Sequence, residues 1–202
     1  MTLNRSFLFA CIVIWLPNSS AFAQAPTTEA PIGLSWGSSI SEVRAKGIEL
    51  TEFEGLDFGK SYIATKMEKA LADQSAALLS FGFNDKLWRV LITSRPFSDD
   101  PAGTAVLTRY GELASLLSEK YGKPSQVHKL GDSIYAQSGY FVAGIRGGQS
   151  KWFTNFDTSN LAIQLGITAT DSSTAGWRII YENKVYRRDF DASKRSREKG
   201  TL

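Results

Sequence analysis

Three observations predict an α+β fold in a single domain, with a mostly antiparallel sheet of about seven strands and about four helices. Runs of alternating apolar residues recur with turns of only a few residues between them, so neighbouring strands can pair without a crossover. Residues 101–121 carry the three- and four-residue apolar spacing of an amphipathic helix. Helical and extended stretches do not alternate one for one, which argues against a doubly wound parallel sheet.

Residues 1–23 read as a secretory signal peptide: Arg5 precedes the apolar run 7–16, Pro17 breaks it, and Ala21-Phe22-Ala23 supplies a small-residue cut. A run this short falls below the ~20 residues needed to span a bilayer as a helix. Cys11 loosely imitates a lipid-attachment site, but cutting before it would leave almost no apolar core upstream. The expected product starts at Gln24 with a flexible Pro- and Thr-rich lead-in over 24–33, and it works in the periplasm or outside the cell. Cys11, the only cysteine, would leave with the signal, so the domain at 34–184 must be held by its core without a disulfide.

Ser39 and Glu42 form a capping box for a short helix that Gly47 ends. Residues 48–60 read as irregular and Gly-punctuated. Residues 62–65 and 77–83 read as strands, and Asn84-Asp85 turns the second into 87–92 as a hairpin. In that last strand Trp88, Val90 and Ile92 alternate with Leu87, Arg89 and Leu91, which puts the first three on one face. The strongest helix follows. Asp99 or Asp100 can cap it, Pro101 suits its first turn, Val106, Tyr110, Leu113, Leu116, Leu117 and Tyr121 form its apolar face, and Gly122 and Pro124 stop it.

Residues 132–146 suit a second long helix, although Gly139 and Gly144 each weaken it by roughly 1 kcal/mol relative to alanine and keep strand open for 140–145. Residues 152–156, 160–168 and 177–181 then read as three antiparallel strands; Leu161, Ile163, Leu165 and Ile167 alternate strictly. A polar helix over 185–199 closes the chain. A helix followed by an antiparallel run thus occurs twice, at 38–95 and 101–183, as a loose internal echo.

Trp36-Gly37 leading into Ser39-Ile40-Ser41-Glu42-Val43, and the helix end Glu119-Lys120-Tyr121-Gly122-Lys123-Pro124 running into a sheet, resemble the small exported bacterial modules of the beta-lactamase-inhibitor-protein and SmpA type. The resemblance implies an open sheet face that binds another protein. It carries over no individual binding residue, and an envelope family of other descent accommodates the same element order equally well.

Motifs that could carry chemistry are mostly incomplete in this sequence. Gly55-Leu56-Asp57-Phe58-Gly59-Lys60-Ser61 has three residues between its glycines where a phosphate-binding loop needs four, and it precedes a strand instead of a helix. His128 is the only histidine and has no metal-ligand spacing around it, so a strand or surface role outweighs a catalytic one. Ser196-Arg197-Glu198-Lys199 matches a serine–lysine pattern, but in a basic tail with no pocket to depress the lysine pKa. Asn155 to Ser159 lacks the glycine and glutamate of a calcium loop. The aspartates at 57, 85, 99, 100, 132, 157 and 171 sit where turns and helix starts favour them. No catalytic residue, cofactor or metal is expected.

Binding candidates remain. Trp152, at a polar strand start with Arg146 close by in sequence, suits a protein-binding hot spot, against the plainer reading of a core tryptophan. The full chain carries a net charge of +3, and its basic excess lies in the C-terminal segment 185–202, where Arg187 and Arg188 could meet phospholipid or lipopolysaccharide, against the plainer reading of a solvated helix with interspersed Asp189, Asp191 and Glu198. The expectation is an exported, non-enzymatic envelope binding protein of inhibitor, immunity or assembly-accessory type, partnered by another envelope or secreted protein and not by nucleic acid. The alternative is a cell-wall hydrolase whose carboxylates converge only in the fold.

Overall fold

Strand alternation and one amphipathic helix resolve, in a computed structural model that describes residues 28–201, into an antiparallel sheet with helices packed on it. The segment read as a signal peptide and residues 24–27 of the lead-in lie outside the described residues. From Glu29 onward that lead-in is anchored: Glu29 bridges Ser35, the Ala30 N–H donates to the Leu34 carbonyl at 2.9 Å, and both Ala30 and Leu34 are buried in the core.

Helix α1 (Ile40–Ala45) begins at the expected capping box, in which Ser39 Oγ accepts from the Glu42 N–H at 3.3 Å and Glu42 Oε2 accepts from the Ser39 N–H at 2.7 Å. Strands β1 (Glu49–Phe53), β2 (Lys60–Thr65), β3 (Gln74–Phe81) and β4 (Leu87–Ser94) follow as a meander. Helix α2 (Thr104–Tyr121) leads to β5 (Ser125–Lys129), helix α3 (Phe141–Arg146), and strands β6 (Lys151–Asp157), β7 (Leu161–Ala169) and β8 (Ala175–Asn183). Helix α4 (Lys184–Lys199) ends the chain, capped by Asn183 Oδ1. Every strand pairing is antiparallel, in the order β1-β2-β3-β4-β8-β7-β6-β5, so β4 and β8 meet in the middle.

Among the described residues the sheet has eight strands and the fold four α-helices. Two strands differ from the expectation, β1 inside the stretch read as irregular and β5 before the second helix. Both are edge strands, exposed along nearly their whole length, so neither has a buried face to impose alternation. The helix expected over 132–146 shrinks to α3 preceded by two 3-10 turns. Gly144 is needed there for close approach, since a Cβ would stand 2.4 Å from Ser150 Oγ. Asp100 does cap α2, but from upstream: its Oδ2 accepts from the Ala105 N–H at 2.8 Å, while Gly103 occupies the N-cap with a φ of +69° that glycine tolerates best.

Helices α2 and α3 pack on one face of the sheet. Val106, Tyr110, Leu113 and Leu117 of α2 and Phe141 and Val142 of α3 join Leu79, Val90, Ile92, Ile163, Leu165, Trp177 and Ile179 in one buried cluster. A β-bulge between Ser80 and Phe81 alters the expected alternation in β4, because Leu87 pairs with Phe81 and Arg89 with Ser80, leaving Trp88 between them. Leu87 therefore joins the core, and Trp88 turns to the other side, where it stacks on Phe190 of α4 at 5.2 Å.

Candidate functional site

Among the described residues, the face opposite α2 and α3 has no such cover over its middle; α4 crosses only its end, through Trp88 and Glu182. Register assembles that open face row by row. Ile63, Leu78, Leu91 and Ile180 stand side by side on β2, β3, β4 and β8, each half-buried, and the row continues through Gln164 and Asn155, whose side chains hydrogen-bond at 3.0 Å. On one side of this apolar row lie Ser61, Ser80, Arg89, Glu182 and Ala162; on the other lie Ala76, Thr93, Arg178, Gly166 and Phe153.

Two arginines charge this face. Arg89 is only 6% exposed; its Nε donates to Glu182 Oε1 at 3.2 Å and its guanidinium lies 4.3 Å from the centre of the Phe58 ring. Burial pushes the Arg89 pKa below its usual value, the neighbouring Arg178 and Arg187 add to that, and Glu182 opposes it. Glu182 is shared with Arg187, so one carboxylate serves two guanidinium groups. Arg89 Nη1 and Arg178 Nε are buried without an acceptor among the described residues, an arrangement that costs about 1–3 kcal/mol or more for each unsatisfied group. The loop over 54–59 walls this end: Trp88 Nε1 donates to the Phe58 carbonyl at 3.0 Å, and Gly59 lets the loop lie against β3, since a Cβ there would stand 2.2 Å from the Phe81 carbonyl oxygen. Asn155, Asp157, Gln164, Ile180 and Glu182 surround a depression of about 310 Å³ on the neighbouring strands.

Trp152 lies on the opposite, helix-covered face. It stacks on His128 with ring centres 4.3 Å apart and meets the edge of Phe141 at 5.4 Å, so the structure gives it the packing of a half-buried core residue. Tyr110 OH bridges His128 Nε2 at 3.1 Å and Thr154 Oγ1 at 2.5 Å. Desolvation holds the His128 pKa below its ordinary value, although the residue as a whole remains exposed along the groove between α2 and β5. The pairing of His128 with Trp152 follows directly from β5–β6 register and was invisible without β5.

Arg146 is exposed at the end of α3, where its Nε donates to the Thr170 carbonyl at 2.9 Å. Arg187 binds Glu182 and approaches Asp191 at 3.7 Å, while Arg188 is exposed with no carboxylate partner among the described residues. Thr170 precedes β8 and Glu182 lies near its end, so Arg146 and Arg187 belong to opposite ends of the sheet and do not form one site with Trp152.

The aspartates are dispersed into local contacts. Asp85 pairs with Lys60 at 3.0 Å, Asp157 with Lys184 at 2.6 Å and Asp57 with Lys194, whereas Asp171 accepts from the Ser173 and Thr174 N–H groups at 2.8 and 2.7 Å. Among the described residues, no group of three or more His, Cys, Asp or Glu side chains is placed to hold a metal, and no helix is long and apolar enough to cross a membrane. No family model, curated protein or solved structure matches the chain.

Proposed function

We propose that the chain is an exported, non-enzymatic binding protein of the bacterial envelope, of inhibitor, immunity or assembly-accessory type, and that its open sheet face takes a protein segment presenting a carboxylate among apolar side chains. The observation that carries this reading is the half-buried row Ile63, Leu78, Leu91 and Ile180 lying beside two arginines with unsatisfied guanidinium N–H groups. An apolar row gives a partner area to bury, and a partner carboxylate complements the guanidinium groups of Arg89 and Arg178, because the acids of this face, Glu182 and Asp157, are already paired with Arg89, Arg187 and Lys184. The segment before residue 24, with its basic start and Ala-x-Ala end, supports export to the periplasm.

The order α1 then β1–β4, and α2 then β5–β8 with α3 inserted after β5, supports reading the domain as two diverged copies of one unit joined at β4 and β8. It is also the element order behind the proposed kinship with the beta-lactamase-inhibitor-protein and SmpA type. The hydrolase reading loses its support where the aspartates go to separate contacts. Arg188, Arg197 and Lys199 on the outside of α4 leave a contact with anionic lipid or lipopolysaccharide as an accessory role.

The test is a photo-crosslinking residue at Leu91, exposed to crosslinking in a native envelope extract, with mass spectrometry of the adduct. One protein, attached through a segment containing Asp or Glu and lost when Arg178→Glu is added, is the expected result. Absence of an adduct, or one indifferent to Arg178→Glu, would overturn the reading.

A further inference from the structure

On the helix-covered face, α2 lies mainly over β6, β7 and β8, and α1, a helix of six residues, is too short to cover the rest. A cleft of about 530 Å³ opens beside α2, above the β4–β8 junction. Its floor is Ile92, Ile179 and Tyr181, and one wall is Leu113, Leu116 and Leu117 of α2. Its other wall is residues 31–32 and 68–71, which are fixed and not merely adjacent. Asp73, just beyond them, receives two hydrogen bonds from Arg109 of α2 at 3.0 Å each and one from Trp177 Nε1 at 2.8 Å. Leu71 is tied to Gln74 in both directions, by N–H to Oε1 at 3.3 Å and by carbonyl to N–H at 3.0 Å.

The cleft has the size and apolar lining of a small-molecule site. Two features give it a direction. Tyr181 is 7% exposed, and its hydroxyl has no hydrogen-bond partner among the described residues although it borders the cavity. Lys69 and Lys120 stand at the rim, exposed and without a carboxylate partner among the described residues, against a single acid, Glu68. Leu116, 55% exposed, extends the apolar surface to the mouth. A mainly aliphatic cleft edged by the Tyr121 and Tyr181 rings, with a cationic rim outside it, complements a molecule with one long apolar tail and one anionic end.

We infer that this cleft binds a single-chain fatty acid, its tail lying over Ile92, Leu113, Leu117 and Ile179 and its carboxylate meeting Lys69 and Lys120. The Tyr181 hydroxyl stands beside that tail as the polar group available to an unsaturated or hydroxylated chain. The site is separate from the open face, being on the other side of the sheet.

Displacement of a fluorescent undecanoic acid probe by oleate, measured below the oleate micelle concentration on the full chain, tests the assignment. Expected are one saturable site, an affinity at least about tenfold weaker for oleyl alcohol and dodecyltrimethylammonium than for oleate, and a comparable loss in Lys69→Glu/Lys120→Glu. Both lysines are exposed, so that variant should melt as the native chain does; Leu116→Glu at the mouth is a second surface variant expected to weaken oleate. Arg178→Glu should bind oleate normally, which separates this site from the open face. No saturable binding, equal binding of the cationic amphiphile, or full oleate affinity in Lys69→Glu/Lys120→Glu would overturn the inference.

Discussion

The two faces of the sheet are built from the same strands and differ in what the intervening residues are asked to do. On the covered face, Leu79, Val90, Leu165 and Ile179 are fully enclosed by α2, α3 and one another. One step along each strand, Leu78, Leu91, Gly166 and Ile180 face the other way, and the leucines and isoleucine there keep part of their surface in water. A sheet that needed only to fold would place polar residues on that outer face. This one places aliphatic side chains beside buried Arg89 and half-buried Arg178, each with one buried nitrogen that finds no acceptor among the described residues. Stability has been invested on one side, and the other retains surface that a partner could bury.

The largest effect should come from testing that asymmetry directly. Leu165→Ala on the covered face removes a side chain with 0% exposure and should cost about 3 kcal/mol, read as a fall in the urea midpoint at unchanged slope. Leu91→Ala, two strands away on the open face, should cost less, about 1–2 kcal/mol, because the removed atoms are partly hydrated already and little cavity is left. Equal losses would mean that the outer face is packed like the inner one, and the contrast between them would fail.

Sequence made the covered face largely legible. Strict alternation at Leu161, Ile163, Leu165 and Ile167, and the spacing of Val106, Tyr110, Leu113 and Leu117, are direct imprints of burial on one side. Edge strands carry no such imprint, which is why Glu49–Phe53 and Ser125–Lys129 escaped notice, and with them the stacking of His128 on Trp152. Alternation alone places Trp88 on the wrong face, because a bulge inserts one residue and reverses the parity of everything before it. The Arg89–Glu182 contact joins strands far apart in sequence, and nothing local to either residue announces it. The open face itself was expected only through a family resemblance; its particular residues came from the β4–β8 register.

A smaller effect concerns what ties the covered face together. Burial opposes ionisation of Asp73, but hydrogen bonds from Arg109 and Trp177 outweigh it and hold the carboxyl below the ordinary aspartate range. The folded pKa is thus lower than the unfolded one, so the stabilisation is complete above the unfolded value of ~3.8 and is lost as pH falls through the folded value. Native protein should lose stability more steeply below about pH 4 than Asp73→Asn does, while the variant should be the less stable of the two at pH 7. Parallel curves in urea titrations across that range would show that the clamp contributes no pH dependence, and that the wall of the cleft is held by its apolar contacts alone.

The smallest effect lies where the covered face is not fully covered. Gly111 sits inside α2 with backbone angles any residue can adopt, and a Cβ there would meet nothing within 4 Å. It lines the groove toward His128 together with Ala114, Ser115 and Ser118, so this side of the helix is small and faces space instead of packing on β5. If the groove is open in solution, Gly111→Ala should stabilise the protein by about 0.5–1 kcal/mol, through higher helix propensity and a less flexible unfolded chain, raising the urea midpoint without changing its slope. If α2 closes against β5, the added methyl would meet the strand and the midpoint would fall. The sign of this small change therefore distinguishes a helix seated along its whole length from one that leaves an edge of its own face exposed, as the outer surface of the sheet is exposed on the other side.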